Sequence, residues 1–237
     1  MVPLFKVFLP PKEELMEKLE QVLYSGYIGQ GKKVEEFESV LSDFIGNKLC
    51  LTLNTCTSAI QLALRLAGAI DGAEVITTAM TCTATNEPIL AERAKIVWAD
   101  INPVTGNIDA QSIKEKITDK TKAILVVHWG GNPVDLDVIN RLAKERGLAV
   151  IEDAAHAFGA EYNGAKVGSH SNFICFSFQA IKHIPPLTAA SCFVDASLTI
   201  SGASCCDGMV LIGNRQELIF VARRIFRNGA TNSTCMM

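Results

Sequence analysis

Phe173-Ile174-Cys175-Phe176-Ser177-Phe178, with Lys182 four residues further on, is the stretch that decides the fold. Alternation puts Ile174, Phe176 and Phe178 on one face and Cys175 and Ser177 on the other, which predicts a half-buried β-strand. A lysine delivered at the end of such a strand is poised to enter a pocket. Asp153 lies 29 residues earlier and ends a second apolar run, Val150-Ile151-Glu152. A lone lysine is ordinarily a solvated surface group, and a lone aspartate a loop cap. At the ends of successive strands the two make a pair with chemistry: a primary amine able to act as a nucleophile, and a carboxylate able to face a cation.

Outward from this pair, short apolar runs alternate with helical patterns. Strands are expected at Cys50 to Leu53, Glu74 to Thr77, Lys95 to Ala99, Ala123 to Val127 and Ala149 to Glu152. Helices are expected near Ser58 to Ala67, Thr83 to Arg93, Asp109 to Ile117 and Asp135 to Arg146, the last with Asp135 as N-cap and Gly147 as its stop. Ahead of them, Pro11 with Glu13 and Glu14 opens a helix with Leu15, Leu19, Val22 and Leu23 on one face. Gly26, Gly29 and Gly31 break it, and Val34, Phe37, Val40, Leu41 and Phe44 form the stripe of a second helix. Such alternation predicts an α/β fold, a mostly parallel sheet with helices on both faces. Ligands of such sheets bind beyond the carboxyl ends of the strands.

Composition bounds the function. The chain has 237 residues, 49% hydrophobic and 20% charged, as in a soluble globular protein. With 22 basic and 25 acidic residues, the net charge of -3 advertises no nucleic-acid surface. No stretch of 18 uninterrupted apolar residues exists and the first eleven residues do not make a secretory signal, so neither membrane nor export is expected, and the cytoplasm is. Eight cysteines form no Cys-x-x-Cys pair and the four histidines no i, i+4 pair, so no metal site is expected. The early cysteines read as reduced thiols of the core or of a site.

Other residues join the central pair. Thr57 and Ser58 open the helix after the first sheet strand, and a helix amino terminus with its free N–H groups suits a phosphate; the same residue types are also ordinary N-caps. Lysine as a Schiff-base amine, a carboxylate for a pyridinium nitrogen and a phosphate cup are the needs of pyridoxal phosphate.

Four segments occur in order: Ser25-Gly26-Tyr27-Ile28-Gly29-Gln30-Gly31 with Glu36-Phe37-Glu38; Asn54-Thr55-Cys56-Thr57-Ser58-Ala59; Ile151-Glu152-Asp153-Ala154-Ala155-His156-Ala157-Phe158-Gly159-Ala160; and Phe176-Ser177-Phe178-Gln179-Ala180-Ile181-Lys182-His183. Together they resemble the DegT/DnrJ/EryC1/StrS family of nucleotide-sugar aminotransferases, from about Val2 to Ile184 and again near Asp207. The resemblance implies the large domain of a fold type I pyridoxal 5'-phosphate enzyme, with residues 1–32 as an amino-terminal helix and glycine-rich segment and 33–237 as the cofactor domain. It implies Lys182 as the catalytic amine that also binds the cofactor, Asp153 on the pyridine nitrogen, and Thr57, Ser58 and Ser177 on the phosphate. It places His156 against the ring and Cys82 where several relatives carry an aromatic ring. Cys56 stands where many members have glycine. The implied partners are an amino donor, glutamate or glutamine, a nucleotide-linked keto-sugar, and a second copy of the chain, with a residue near Asn228 reaching the partner's site.

Two departures from the family pattern leave alternatives open. Residues 185–206 read as an atypical insert with one charge, Asp195, before the family-like run Asp207 to Leu218 resumes. An insert starting three residues after Lys182 is positioned to displace the amine, and about 1 Å of misplacement can cost roughly a hundredfold in rate. The family's small carboxyl-terminal domain is also expected to be missing. The alternatives are a fragment that binds cofactor or a partner without turnover, and a related sugar dehydratase. Dehydratases of this type replace the lysine with histidine, and here His183 is adjacent to a retained Lys182.

Overall fold

The computed structural model describes residues 7, 9–28, 31–184 and 190–195. In chain order they form α1 (Lys12–Leu23), α2 (Lys32–Ile45), β1 (Cys50–Leu53), α3 (Cys56–Leu66), β2 (Glu74–Thr77), α4 (Thr83–Ala91), β3 (Lys95–Trp98) and α5 (Ala110–Lys116). There follow β4 (Thr121–Val127), α6 (Leu136–Arg146), β5 (Ala149–Asp153), β6 (Glu161–Tyr162), β7 (Ala165–Lys166), β8 (Phe173–Ser177) and β9 (Ala190–Val194). Seven strands make one sheet in the order β1-β9-β8-β5-β4-β2-β3, while β6 and β7 pair as a small hairpin. Every neighbour in the large sheet is parallel except β9, which runs against both β1 and β8.

Side-chain alternation along the strands sorts the core into layers. Leu51, Val75, Leu125, Ile151, Phe173 and Cys175 face α3 and α4 and pack with Ile60, Leu64 and Ile89. Ile76, Ile124, Val126 and Val150 face the other way, onto Ile113 of α5 and Ile139 and Leu142 of α6. Further along that second face, Ile174, Phe176, Phe178 and Phe193 pack under Leu41 and Ile45 of α2. Phe158 touches both Phe176 and Phe178 edge-on, at 5.4 and 5.3 Å between ring centres. Each such ring contributes about 1.5–3 kcal/mol by leaving water.

The strand that decided the fold is therefore sandwiched: all five residues of β8 are buried, not only the phenylalanine face. α3 covers the side carrying Cys175, so the expectation of a half-buried strand fails while the expected facing of each residue holds. A second difference falls in 185–206. Ala190–Val194, inside the stretch that reads as an insert, is β9, fully buried between β1 and β8. Asp207 to Leu218 and Asn228 lie outside the described residues.

α1 buries no residue, and its Leu19, Leu23 and the following Tyr24 are exposed. No helix among the described residues is long and apolar enough to cross a membrane.

Candidate active site

Register brings the strand ends to one rim. Val127 pairs with Asp153, and Asp153 with Cys175; Ser177 pairs with Ala190, and Ala190 with Leu53. Alternation then decides facing. Ile151 and Phe173 point toward α3, so Asp153 and Ser177, each an even number of residues on, emerge on that same side. A cavity of about 240 Å³ opens there, lined by Asn54, Thr55, Cys56, Thr57, Cys82, Thr85, Asp153, Ser177, Gln179 and Lys182 among others. Its size suits one small ring and its substituents, being below the 300–1,000 Å³ typical of drug-sized ligands.

Five of the residues singled out in the sequence thus meet: Thr57, Cys82, Asp153, Ser177 and Lys182. Lys182 sits in the turn after β8, its backbone N–H donating to the Gln179 carbonyl at 2.7 Å. Asp153 is 5% exposed. Its Oδ1 accepts the Ala155 N–H at 3.0 Å and its Oδ2 the Thr85 hydroxyl at 2.7 Å.

Ser58 is not part of the lining. Thr55, not Thr57 or Ser58, caps α3: its side chain accepts the Ser58 N–H at 3.0 Å, and the Ser58 hydroxyl lies 3.0 Å from the same oxygen. The cap satisfies the third N–H of the helix; those of Cys56 and Thr57, which have no partner within an α-helix, belong to residues that line the cavity. Cys56 has a side chain where a glycine was the family expectation, yet it lines the wall without closing the cup. Burial pushes its thiol well above the ordinary value, the Asp153 charge and Cys192 push the same way, and the Lys182 charge opposes them. Cys82 is exposed and caps α4 through its backbone alone.

His156 stands beside the cavity without lining it. Burial, then the neighbouring Lys182 charge, pull its imidazole below its ordinary value of 6.5, against a smaller opposing pull from Asp153. Its ring is 6.1 Å from that of Trp129. Gly131, with φ +85°, comes so close that a Cβ would sit 2.7 Å from the His156 carbonyl oxygen, which is why the turn after β4 needs glycine. Neither Trp129 nor its neighbours line the cavity.

Thr85 and Gln179 are among the lining residues that sequence reading missed. Thr85 lies in the first turn of α4 and is an unremarkable helix threonine until α4 is docked against β5. Among the described residues no group of three or more histidines, cysteines or carboxylates can hold a metal.

Amine, carboxylate and a helix amino terminus thus meet on one rim of a mostly parallel sheet in an α/β fold. The chain belongs to the DegT/DnrJ/EryC1/StrS aminotransferase family, whose pattern matches residues 11–190. It is 36% identical over 218 residues to UDP-2-acetamido-2-deoxy-3-oxo-D-glucuronate aminotransferase of Pseudomonas aeruginosa, covering 92% of this chain and 56% of that protein. Among solved structures it resembles the sugar aminotransferase CalS13 of Micromonospora echinospora, with a TM-score of 0.80 and 32% identity over 95% of this chain and 58% of that one. It also resembles Spr1654 of Streptococcus pneumoniae in its PMP form, with a TM-score of 0.82 and 28% identity over 94% of this chain and 56% of that one. The chain spans about half the length of the curated relatives it matches.

Proposed function

We propose that this chain is the cofactor-binding part of a pyridoxal-phosphate-dependent aminotransferase that moves an amino group from glutamate or glutamine to a nucleotide-linked keto-sugar. The observation that carries this reading is the convergence of Lys182, Asp153 and the amino terminus of α3 on one cavity. The donor set suits the cofactor. The N–H groups of Cys56 and Thr57, with the Ser177 hydroxyl, offer donors to a phosphate at the positive end of α3. The Asp153 carboxylate is held facing inward and accepts an N–H from a ring nitrogen. Lys182 supplies the amine that anchors an aldehyde. The neutral His156 imidazole stands by without adding charge.

When bound, pyridoxal phosphate supplies an electron sink for the bond broken at the donor's Cα. The residues around it position and move protons. Lys182 Nζ would take the proton from the donor's Cα and return it to the carbon two atoms away, across the nitrogen, acting as base and then as acid. Asp153 keeps its hydrogen-bond partner charged by accepting from it throughout. Ser177 and the α3 terminus hold the anionic end still, so that the reacting carbon stays within reach of Lys182. The exposed apolar side chains of α1 fit the same reading, in which a second copy of the chain covers them.

Purified chain titrated with pyridoxal phosphate should develop the visible absorption of lysine-bound cofactor. Borohydride should abolish it, Lys182→Ala should lack it, and glutamate should convert it to the amine form. Absence of that absorption in the unaltered chain rejects the reading.

A further inference from the structure

We infer that Thr85, backed by Thr81, is a positioning residue that fixes the Asp153 carboxylate toward the cavity. The inference deepens the functional reading above and rests on it. It starts from where a hydroxyl goes. A threonine in the first turn of a helix ordinarily bonds its own neighbouring backbone. Thr85 instead reaches 68 residues along the chain to Asp153 Oδ2, at 2.7 Å and in a buried setting.

Proton counting gives the contact a direction. A hydroxyl carries one hydrogen, and a carboxylate only accepts. Thr85 therefore donates to Asp153, and the 2.7 Å contact between the Thr81 and Thr85 hydroxyls has Thr81 as donor. The result is a one-way chain, Thr81 to Thr85 to Asp153, and charge-assisted bonds of this kind are about twice as strong as neutral ones.

The chain has its own foundation. The next residue, Asn86, accepts from the Thr77 hydroxyl and donates to the Thr78 carbonyl, both at 3.0 Å. That clamp ties the start of α4 to the end of β2 and holds Thr85 in place independently of Asp153. Asp153 in turn is gripped at both oxygens, by Ala155 N–H on one and Thr85 on the other. With two fixed donors the carboxylate plane cannot swing about its Cβ–Cγ bond, and its remaining lone pairs have one orientation. Both Thr85 and Asp153 line the cavity, so that orientation is presented to whatever the cavity holds. Removing Thr85 leaves a single anchor, from a residue two positions along the same turn.

The test is the affinity of the purified chain for pyridoxal phosphate, read by absorbance titration. Thr85→Val keeps the shape and removes the donor; affinity should fall about 10- to 100-fold, the worth of a hydrogen bond to a charged group. Thr85→Ser, which restores the donor, should stay within about 3-fold of the unaltered chain. In an Asp153→Ala background, Thr85→Val should bring no further loss, because the only group it acts through has gone. Unaltered affinity in Thr85→Val, a Ser variant as weak as Val, or an equal loss in both backgrounds overturns the inference. Should Thr85→Val not fold, Thr81→Val at the half-buried end decides: a loss of about 2- to 5-fold supports the chain and no loss refutes it. If the unaltered chain binds no cofactor, or Lys182→Ala keeps the visible absorption, the functional reading itself is what has failed.

Discussion

Glu152 and Asp153 are neighbours on β5, both carboxylates and both buried, at 0% and 5% exposure, yet they live in opposite surroundings. Glu152 points toward α6. There Val134 N–H donates to His128 Nδ1 at 3.2 Å, which leaves the ring proton on Nε2 to be given to Glu152 Oε2 at 2.8 Å. Both side chains are sealed from solvent. Asp153 points toward α3 and α4, is gripped by Thr85 and Ala155, and faces an open cavity with an amine in it. Burial alone does not tell a structural carboxylate from a working one. A buried partner and no cavity mark the first; acceptor capacity facing a cavity marks the second, the carboxylate of the proposed site.

The sharpest way to break this contrast is His128→Phe. It strands Glu152 as a buried carboxylate without its partner, in a pocket where Oε1 already has no hydrogen-bond partner among the described residues. Stability should fall by about 3–5 kcal/mol in urea unfolding; a loss under about 1 kcal/mol denies that the pair is a closed structural unit. Asp153→Asn should do the reverse. The chain should fold with its thermal midpoint within a few degrees of the original while affinity for pyridoxal phosphate drops about 10- to 100-fold; a variant that unfolds but binds normally when folded erases the distinction.

A smaller effect is expected from His156, on the Asp153 side. Its folded value is depressed, so below 6.5 the unfolded chain takes up a proton that the folded chain refuses. Stability without cofactor should therefore fall as pH drops through 6.5, the loss being complete once pH passes below the folded value. His156→Gln should flatten that part of the profile, and an unchanged slope counts against the assignment. Smallest of all is Cys56→Ala. In the proposed function the cup donates through backbone N–H groups, which the substitution keeps, so cofactor affinity should shift by less than about 3-fold. A large loss means that the thiol, not the backbone, makes the contact.

Much of this was legible because strands written as short apolar runs declare themselves. Cys50–Leu53 and Glu74–Thr77 have the bounds their sequence predicts, and Asp135 caps α6 through its side chain as expected. Lys182, Asp153, Thr57 and Ser177 were readable because each follows or ends such a run. The hairpin of β6 and β7 was not read, although Asn163-Gly164, with φ of 51° and 80°, is the turn that two-residue hairpins prefer; strands of two residues have no period to detect. β9 was hidden for another reason. Ala190 to Val194 gains its place only from β1 and β8 on either side, and a serine and a cysteine in its five residues look like loop until those neighbours bury them. Thr85 was invisible in the same sense, since its role is a contact between α4 and β5, 68 residues apart in the chain.

The reversed direction of β9 has a consequence for the amine. A parallel neighbour obliges the chain to travel back beneath the sheet before it can climb again, whereas a reversed one lets it turn over and descend at once. Ser177 and Ala190 face each other as register partners at the rim, so the end of β8 and the start of β9 lie side by side on neighbouring strands. Lys182 lies five residues beyond Ser177. The amine is therefore tied, by the backbone bond from Lys182 to Gln179, to a strand end that is itself locked between β5 and β9.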